Sequence, residues 1–285
     1  MFRLTVTAVS LSFALGCGSG SKPDAKGDPK TTDPKKQAQG LSTPGVPDGP
    51  EAVAQKSVAD FFAALKAKTA TPDQLTPEFK KVVAPPFGGE PIGFADAKAK
   101  DFLAKWATVT ADPPKAEVAG DVAFAAGKPG PGGRVLMRLR KDADGWKVDW
   151  LSNGPATASV VKLDGGVDTA GVQFAAAAFT DAALTKDYTL AAALMSDGGM
   201  QFVAPAVFSA DKARGYNLGL FKEAIASAFG QTTQIALAGT SREGDTATVT
   251  LELTAGDKKT PLTLTLVREK DAKPGAWLVD RFEAK

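Results

Sequence analysis

Residues 132–150 read GGRVLMRLRKDADGWKVDW, and this stretch decides the fold. Val135, Met137 and Leu139 alternate with Leu136, Arg138 and Arg140, and Trp146, Val148 and Trp150 alternate with Lys147 and Asp149 after a turn at Asp144-Gly145. A hydrophobic period of two on both sides of a turn signal predicts an antiparallel hairpin with one face on a core. Its last part, Trp146-Lys147-Val148-Asp149, returns near the chain end as Trp277-Leu278-Val279-Asp280. Two further echoes precede it in the same order. Val83-Ala84-Pro85 returns as Val203-Ala204-Pro205, and Ala95-Asp96 as Ala210-Asp211. The offsets of 120, 115 and 131 residues vary as loop insertions would make them, so the chain reads as a duplication.

Working outward, each half opens with helical periodicity and closes with strands. In the first, Val58, Phe61, Phe62 and Leu65 fall at i, i+3, i+4 and i+7; Thr76-Pro77-Glu78 opens a short helix carrying Phe79 and Val82; a third helix from about Ala95 places Phe102, Leu103 and Trp106 on one side. Ala116, Val118 and Val122 mark a first strand region before the hairpin. In the second half the opening helix carries Val172, Phe174, Phe179 and Leu184, a short one covers Leu190–Met195, and Leu218, Phe221, Ile225 and Phe229 lie on a third. Strands follow at Gln234–Ala238, Ala247–Leu253, Leu262–Leu266 and Trp277–Val279, with Thr248, Thr250, Thr263 and Thr265 facing the other way, as on a half-exposed sheet. The fold class is therefore α+β: two tandem small domains, each with about three helices packed on a curved antiparallel sheet.

Three helices followed by a meander of long strands, with a tryptophan at 146 and again at 277 on a strand, resembles the cone-shaped nuclear transport factor 2-like superfamily over about 50–155 and 168–285. A cystatin-like module, with fewer helices per unit, is the competing architecture. The resemblance implies a conical pocket in each half, which some members use for isomerase or dehydratase chemistry. That chemistry needs an acid/base carboxylate and often a tyrosine.

The N-terminus places the chain. Arg3, an apolar stretch from Leu4 to Leu15, and Gly16-Cys17-Gly18 form the three parts of a secretory signal. The apolar run is shorter than the roughly 20 residues a membrane span needs. Phe13-Ala14-Leu15-Gly16-Cys17 resembles the bacterial lipobox, although Ala14 stands where that motif usually has leucine. The resemblance implies that Cys17 is acylated and becomes the first residue of the mature protein. Two or three acyl chains hold a protein stably on a membrane, where one holds only reversibly. Gly18, in place of aspartate, mildly favours the outer membrane by resemblance to sorted lipoproteins. Residues 18–50 are rich in Gly, Ser, Lys, Asp and Pro and hold no aromatic side chain, so they read as a disordered tether with a reach on the order of 30 Å. The expected organisation is a signal peptide over 1–17, the tether over 18–50, a first α+β domain over 51–151, a linker over 152–168 and a second α+β domain over 169–285.

Composition narrows the chemistry. The 285 residues include no histidine and a single cysteine, Cys17, which excludes a Ser-His-Asp triad, a Cys-His pair and His-rich or Cys₄ zinc sites. Charge is nearly balanced, with 34 Lys and Arg against 32 Asp and Glu, and nucleic acid is not an expected partner. No metal, cofactor or catalytic residue is assigned. Gly127–Arg134 is a hairpin loop, since a phosphate loop needs its lysine after the last glycine and a helix behind it, whereas a strand follows here. Asp142-Ala143-Asp144-Gly145 lacks the ligands of a calcium loop and reads as a turn. Tyr188 and Tyr216, the only tyrosines, read as half-buried packing. Asp149 and Asp280 occupy equivalent strand positions, and the neighbouring tryptophans, as core residues, turn both aspartates outward. Arg138 and Arg140 share one face of a strand; they are either solvated charge or the lining of a pocket for an anionic ligand. The sequence thus describes a membrane-anchored cell-envelope lipoprotein, a non-catalytic binding or scaffolding module whose partners are the membrane and an envelope protein or polymer. The alternative is a small-molecule pocket protein or degenerate isomerase-like enzyme that uses one cone.

Overall fold

The computed structural model describes residues 49–85, 94–107, 112–127, 133–155, 166–205, 216–268 and 275–284. Cys17, the tether up to residue 48 and the Ala210-Asp211 echo lie outside them, and Pro50, expected at the end of the tether, opens a helix. Residues Pro47–Lys285 form one compact unit. The fold is α+β, with two four-stranded antiparallel sheets in tandem, each a meander in chain order. The first half runs α1 (Pro50–Lys66), α2 (Pro77–Val83), α3 (Phe94–Trp106), β1 (Ala116–Ala119), β2 (Val122–Ala126), β3 (Arg134–Asp142) and β4 (Gly145–Gly154). The second runs α4 (Val167–Thr185), α5 (Tyr188–Ala193), α6 (Asp197–Val203), α7 (Leu218–Phe229), β5 (Gln234–Glu243), β6 (Thr246–Ala255), β7 (Lys258–Val267) and β8 (Leu278–Ala284).

Two elements differ from the sequence expectation. The first strand region is two strands, β1 and β2, joined at Gly120-Asp121, where Gly120 takes φ +65°. The short helix expected over Leu190–Met195 ends at Ala193, and a separate helix, α6, follows. Asp197-Gly198-Gly199 concealed α6, because glycine is among the poorest helix formers. Gly199 is nonetheless required: a Cβ there would run into the Asp280 carbonyl oxygen, so α6 lies hard against β8. α6 is the counterpart of α2. Thr76 and Ser196 cap the two helices by accepting from Phe79 N and Gly199 N, and Ala84 and Ala204 end them in similar backbone conformations. The hairpin between β3 and β4 turns at Ala143-Asp144, with Asp142 Oδ1 accepting from Asp144 N at 2.9 Å and Gly145 at φ +115°.

The core is organised around α4. Every residue from Ala170 to Ala183 is buried, as expected of a helix apolar on all sides. It packs on β6, β7 and β8 of its own half and on β2, β3 and β4 of the other. The rings of Phe124 and Phe174 lie 5.5 Å apart across that second contact, and the Arg138 guanidinium sits 5.6 Å from the Phe174 ring. Both alternating sets on β3 are therefore buried: Arg134 and Leu136 as fully as Val135, Met137 and Leu139. Among the described residues the second sheet is fully covered on one face and half-exposed on the other. Ala247, Val249, Leu251, Leu262, Leu264 and Leu266 are buried, while Thr248 pairs with Thr265 and Thr250 with Thr263 on a half-exposed face. β4 continues through Gly154, so Ser152, Asn153 and Gly154 are strand residues, and α4 opens at Val167.

Candidate functional site

Two equivalent irregularities create the polar sites of the molecule. The β3–β4 register passes from Arg138↔Trp150 to Leu139↔Val148, which leaves Asp149 as an extra residue. The β7–β8 register passes from Thr265↔Arg281 to Leu266↔Val279, which leaves Asp280. A bulge re-aims side chains, and here it turns each aspartate toward the short helix of its own half. The chain before that helix pairs with the bulged strand in parallel, Leu75 with Val148 and Met195 with Val279, and Thr76 N and Ser196 N donate to Val148 O and Val279 O at 2.8 and 2.9 Å. The helix cap then meets the aspartate. Thr76 Oγ1 donates to Asp149 Oδ1 at 3.0 Å, and Ser196 Oγ donates to Asp280 Oδ1 at 2.6 Å.

The outward placement expected for Asp149 is thus overturned: it is 6% exposed and lies beside both arginines. Strict alternation from Trp146 to Trp150 implied the outward position, and the bulge breaks that alternation. Arg138 Nε donates to Asp149 Oδ2 at 2.8 Å, and Arg140 donates from Nε at 3.3 Å and Nη2 at 3.2 Å. Arg138 and Arg140 are not solvated charge, since their side chains are only 12% and 10% exposed. Burial alone would raise the Asp149 carboxyl, but the two guanidiniums and the Thr76 hydroxyl outweigh it and hold it below the usual carboxylate range. Burial also pulls Arg138 below its ordinary value, against the attraction of Asp149. Asp280 is half-buried, with Arg281 Nε 3.7 Å away and the Arg281 guanidinium 4.9 Å over the exposed Phe202 ring.

A cavity of about 820 Å³ borders the first site, between the start of α2, the β1–β2 turn, the end of β3 and the start of α4. Arg140, Thr76, Lys141, Asp121, Val122 and Val167 line it. Of the two arginines, Arg140 reaches this space, and Arg138 is turned under α4 against Phe174. A second buried pair lies elsewhere on the seam: Arg134 Nη2 and Nε donate to Asp181 of α4 at 2.6 and 3.2 Å. Burial pushes the Asp181 carboxyl up to about 6 even against that guanidinium. Sequence reasoning did not pair Arg134 with Asp181. The available signal was the composition of α4, whose buried run Ala170–Ala183 has Asp181 as its lone acid, and a buried acid requires a partner.

The two tyrosines do not join either site. Tyr188 stacks under Lys222, whose Nζ is 5.3 Å from the ring, and Tyr216 forms an isolated bridge with Pro205. Among the described residues no cluster of three or more His, Cys, Asp or Glu is placed to hold a metal ion, and no helix is long and apolar enough to cross a membrane. No protein-family model and no characterised protein matches the chain.

Proposed function

We propose that this chain is a lipid-anchored cell-envelope protein, held at Cys17, whose paired α+β halves act as a non-catalytic binding or scaffolding module. One observation supports it most. Aromatic side chains pack on one another inside each half, Phe79 against Phe102 and Trp150 and Phe102 against Trp106 in the first, and Phe179, Phe229 and Phe282 together in the second, which on a cone-shaped reading leaves less room for a ligand. A pocket enzyme needs an open apolar chamber with a few convergent polar groups; here the main buried carboxylates, Asp149 and Asp181, are engaged by arginines. The element order in each half, helices and then a four-stranded meander, supports the nuclear transport factor 2-like reading, which we carry as part of this proposal. The test is intact mass and membrane fractionation of the native protein beside Cys17→Ala. Acyl mass and membrane partition in the wild type, both lost in the variant, support the anchor. An unmodified, soluble wild type overturns it.

The cavity beside Arg140 favours a second reading, a peripheral small-molecule site. Val122→Trp, placed in its wall, would narrow it. A small carboxylate that raises the melting temperature of the wild type and not of the variant would support this reading over the first, and equal response of both would remove it.

A further inference from the structure

The opening helices of the two halves end alike and then diverge. The chain leaves α1 and α4 through a lysine in the left-handed conformation, Lys68 at φ +58° and Lys186 at φ +59°, the only two residues other than glycine with positive φ among the described residues. The last helices of the two halves, α3 and α7, correspond as well. From Ala99, α3 runs buried, exposed, exposed, half-buried, buried, exposed, exposed, and from Phe221 α7 runs identically. Lys100 therefore matches Lys222, and Leu103 matches Ile225.

Between these landmarks the halves differ by one ring. In the second, Tyr188 stands two residues beyond Lys186, packed on the core, with Lys222 Nζ of α7 5.3 Å from its centroid. In the first, Ala70 stands two residues beyond Lys68, and a cavity of about 450 Å³ lies between the end of α1 and α3. Buried Leu65 and Leu103 line it with Ala70 and Ala104, and among the described residues Lys68 and Lys100 are its only charged lining. Neither lysine forms an ion pair among the described residues, whereas Lys80 of α2 reaches Asp73 and Asp96.

We infer that this cavity takes an aromatic carboxylate, its ring held as the second half holds Tyr188 and its charge met by the two lysines. The ring follows from the comparison of the halves. Where the second half supplies a tyrosine to its α7 lysine, the first supplies an alanine methyl and leaves the space beside the matching lysine open, and an ammonium over an aromatic face attracts it. The buried leucines give that ring an apolar wall, and the lysines are the convergent polar groups a small-ligand site needs. The charge follows from the lining, since two ammoniums without a nearby carboxylate repel a cation and attract an anion. The cavity beside Arg140 is different in kind, because Glu78, Asp121 and Asp142 line it together with Arg140 and Lys141. This inference stands independently of that cavity and of the lipid anchor.

The probe is para-hydroxyphenylpropionate, a tyrosine side chain carrying a carboxylate, titrated calorimetrically into the full chain in detergent. The wild type should bind one equivalent. Ala70→Tyr, which sets the second half's ring into the cavity, should bind none at an undiminished melting temperature. Lys68→Gln/Lys100→Gln should bind about tenfold more weakly, through the loss of two exposed cationic contacts. A wild type that takes up no probe at millimolar concentration overturns the inference, as does equal binding by Ala70→Tyr. Equal affinity for cyclohexylpropionate would remove the aromatic requirement, and equal affinity for the uncharged propionamide would remove the anionic one; either result overturns it too. Should Ala70→Tyr fold poorly, the double lysine variant decides, since both of its sites are exposed: the tenfold loss supports the site and unchanged affinity overturns it.

Discussion

The two halves repeat one device and load it differently. In each, a strand bulge turns an aspartate toward the hydroxyl that caps a short helix, and the chain before that helix bonds the same strand. In the first half, the position paired with the bulged strand carries Arg138, with Arg140 two residues on; in the second, Thr265 and Val267 stand there. The arginine face lies under α4 and the threonine face is half-exposed. Two halves of the same element order can thus share a backbone joint while one of them gives up a sheet face to the helix of the other. The half that gave it up carries three arginines on that face, and each needs a carboxylate because it has left water.

The largest expected difference comes from removing the aspartates. Asp149→Ala leaves two guanidiniums buried without their shared carboxylate and should cost about 3–5 kcal/mol; Asp280→Ala removes one hydroxyl bond at a half-exposed site and should cost about 1 kcal/mol. Urea unfolding of the pair measures both, and equal losses would break the comparison.

Next is the seam. The Asp181 carboxyl, at about 6, stands above its unfolded value near 3.9, so the native state binds the proton more tightly than the unfolded one. Its contribution to stability is therefore fully present below about pH 4 and is lost as pH rises through about 6, a change on the order of 2–3 kcal/mol. Asp149, held low, acts in the opposite sense: its contribution is present above the usual carboxylate range and is lost as pH falls below it. Unfolding free energy from about pH 4 to about pH 6, the span between those two values, should fall less steeply in Asp181→Asn than in the wild type. Identical slopes would show that Asp181 titrates as an ordinary carboxyl.

The helix caps should differ less. Thr76→Ala and Ser196→Ala each remove an N-cap acceptor and a donor to aspartate, and each should cost about 1–2 kcal/mol, with Thr76 at the upper end because Asp149 is the more deeply buried partner. The smallest effect is expected where the halves are made alike. Thr265→Arg places a guanidinium on the half-exposed face and should change stability by less than about 0.5 kcal/mol, whereas Arg138→Thr strips Asp149 of its shortest ion pair. Thermal melts compare the two, and a Thr265→Arg loss of several degrees would mean that the threonine face is covered.

Much of this was legible in the sequence. Trp-x-Val-Asp at 146 and 277 and Val-Ala-Pro at 83 and 203 mark positions that coincide in the two halves, and alternation placed Val135, Met137, Leu139, Val249, Leu251, Leu264 and Leu266 in the core. The burial of Asp149 was not legible, because a bulge adds a residue without changing composition and shifts every face assignment beyond it. Nor was the cover over Arg138, since side chains on a strand do not announce which distant element will close on them. A signal for α4 did exist, in a helix apolar on all sides.

The sequence by itself determined the α+β class, the inward faces of the strands before each bulge and the absence of histidine chemistry, because hydrophobic period and residue inventory are local properties of the chain. Tertiary structure alone decided that α4 serves both sheets and that Arg134 meets Asp181 across 47 residues of chain. Those are contacts between elements far apart in sequence. Their energies depend on burial and geometry, which no residue carries until the chain has closed around it.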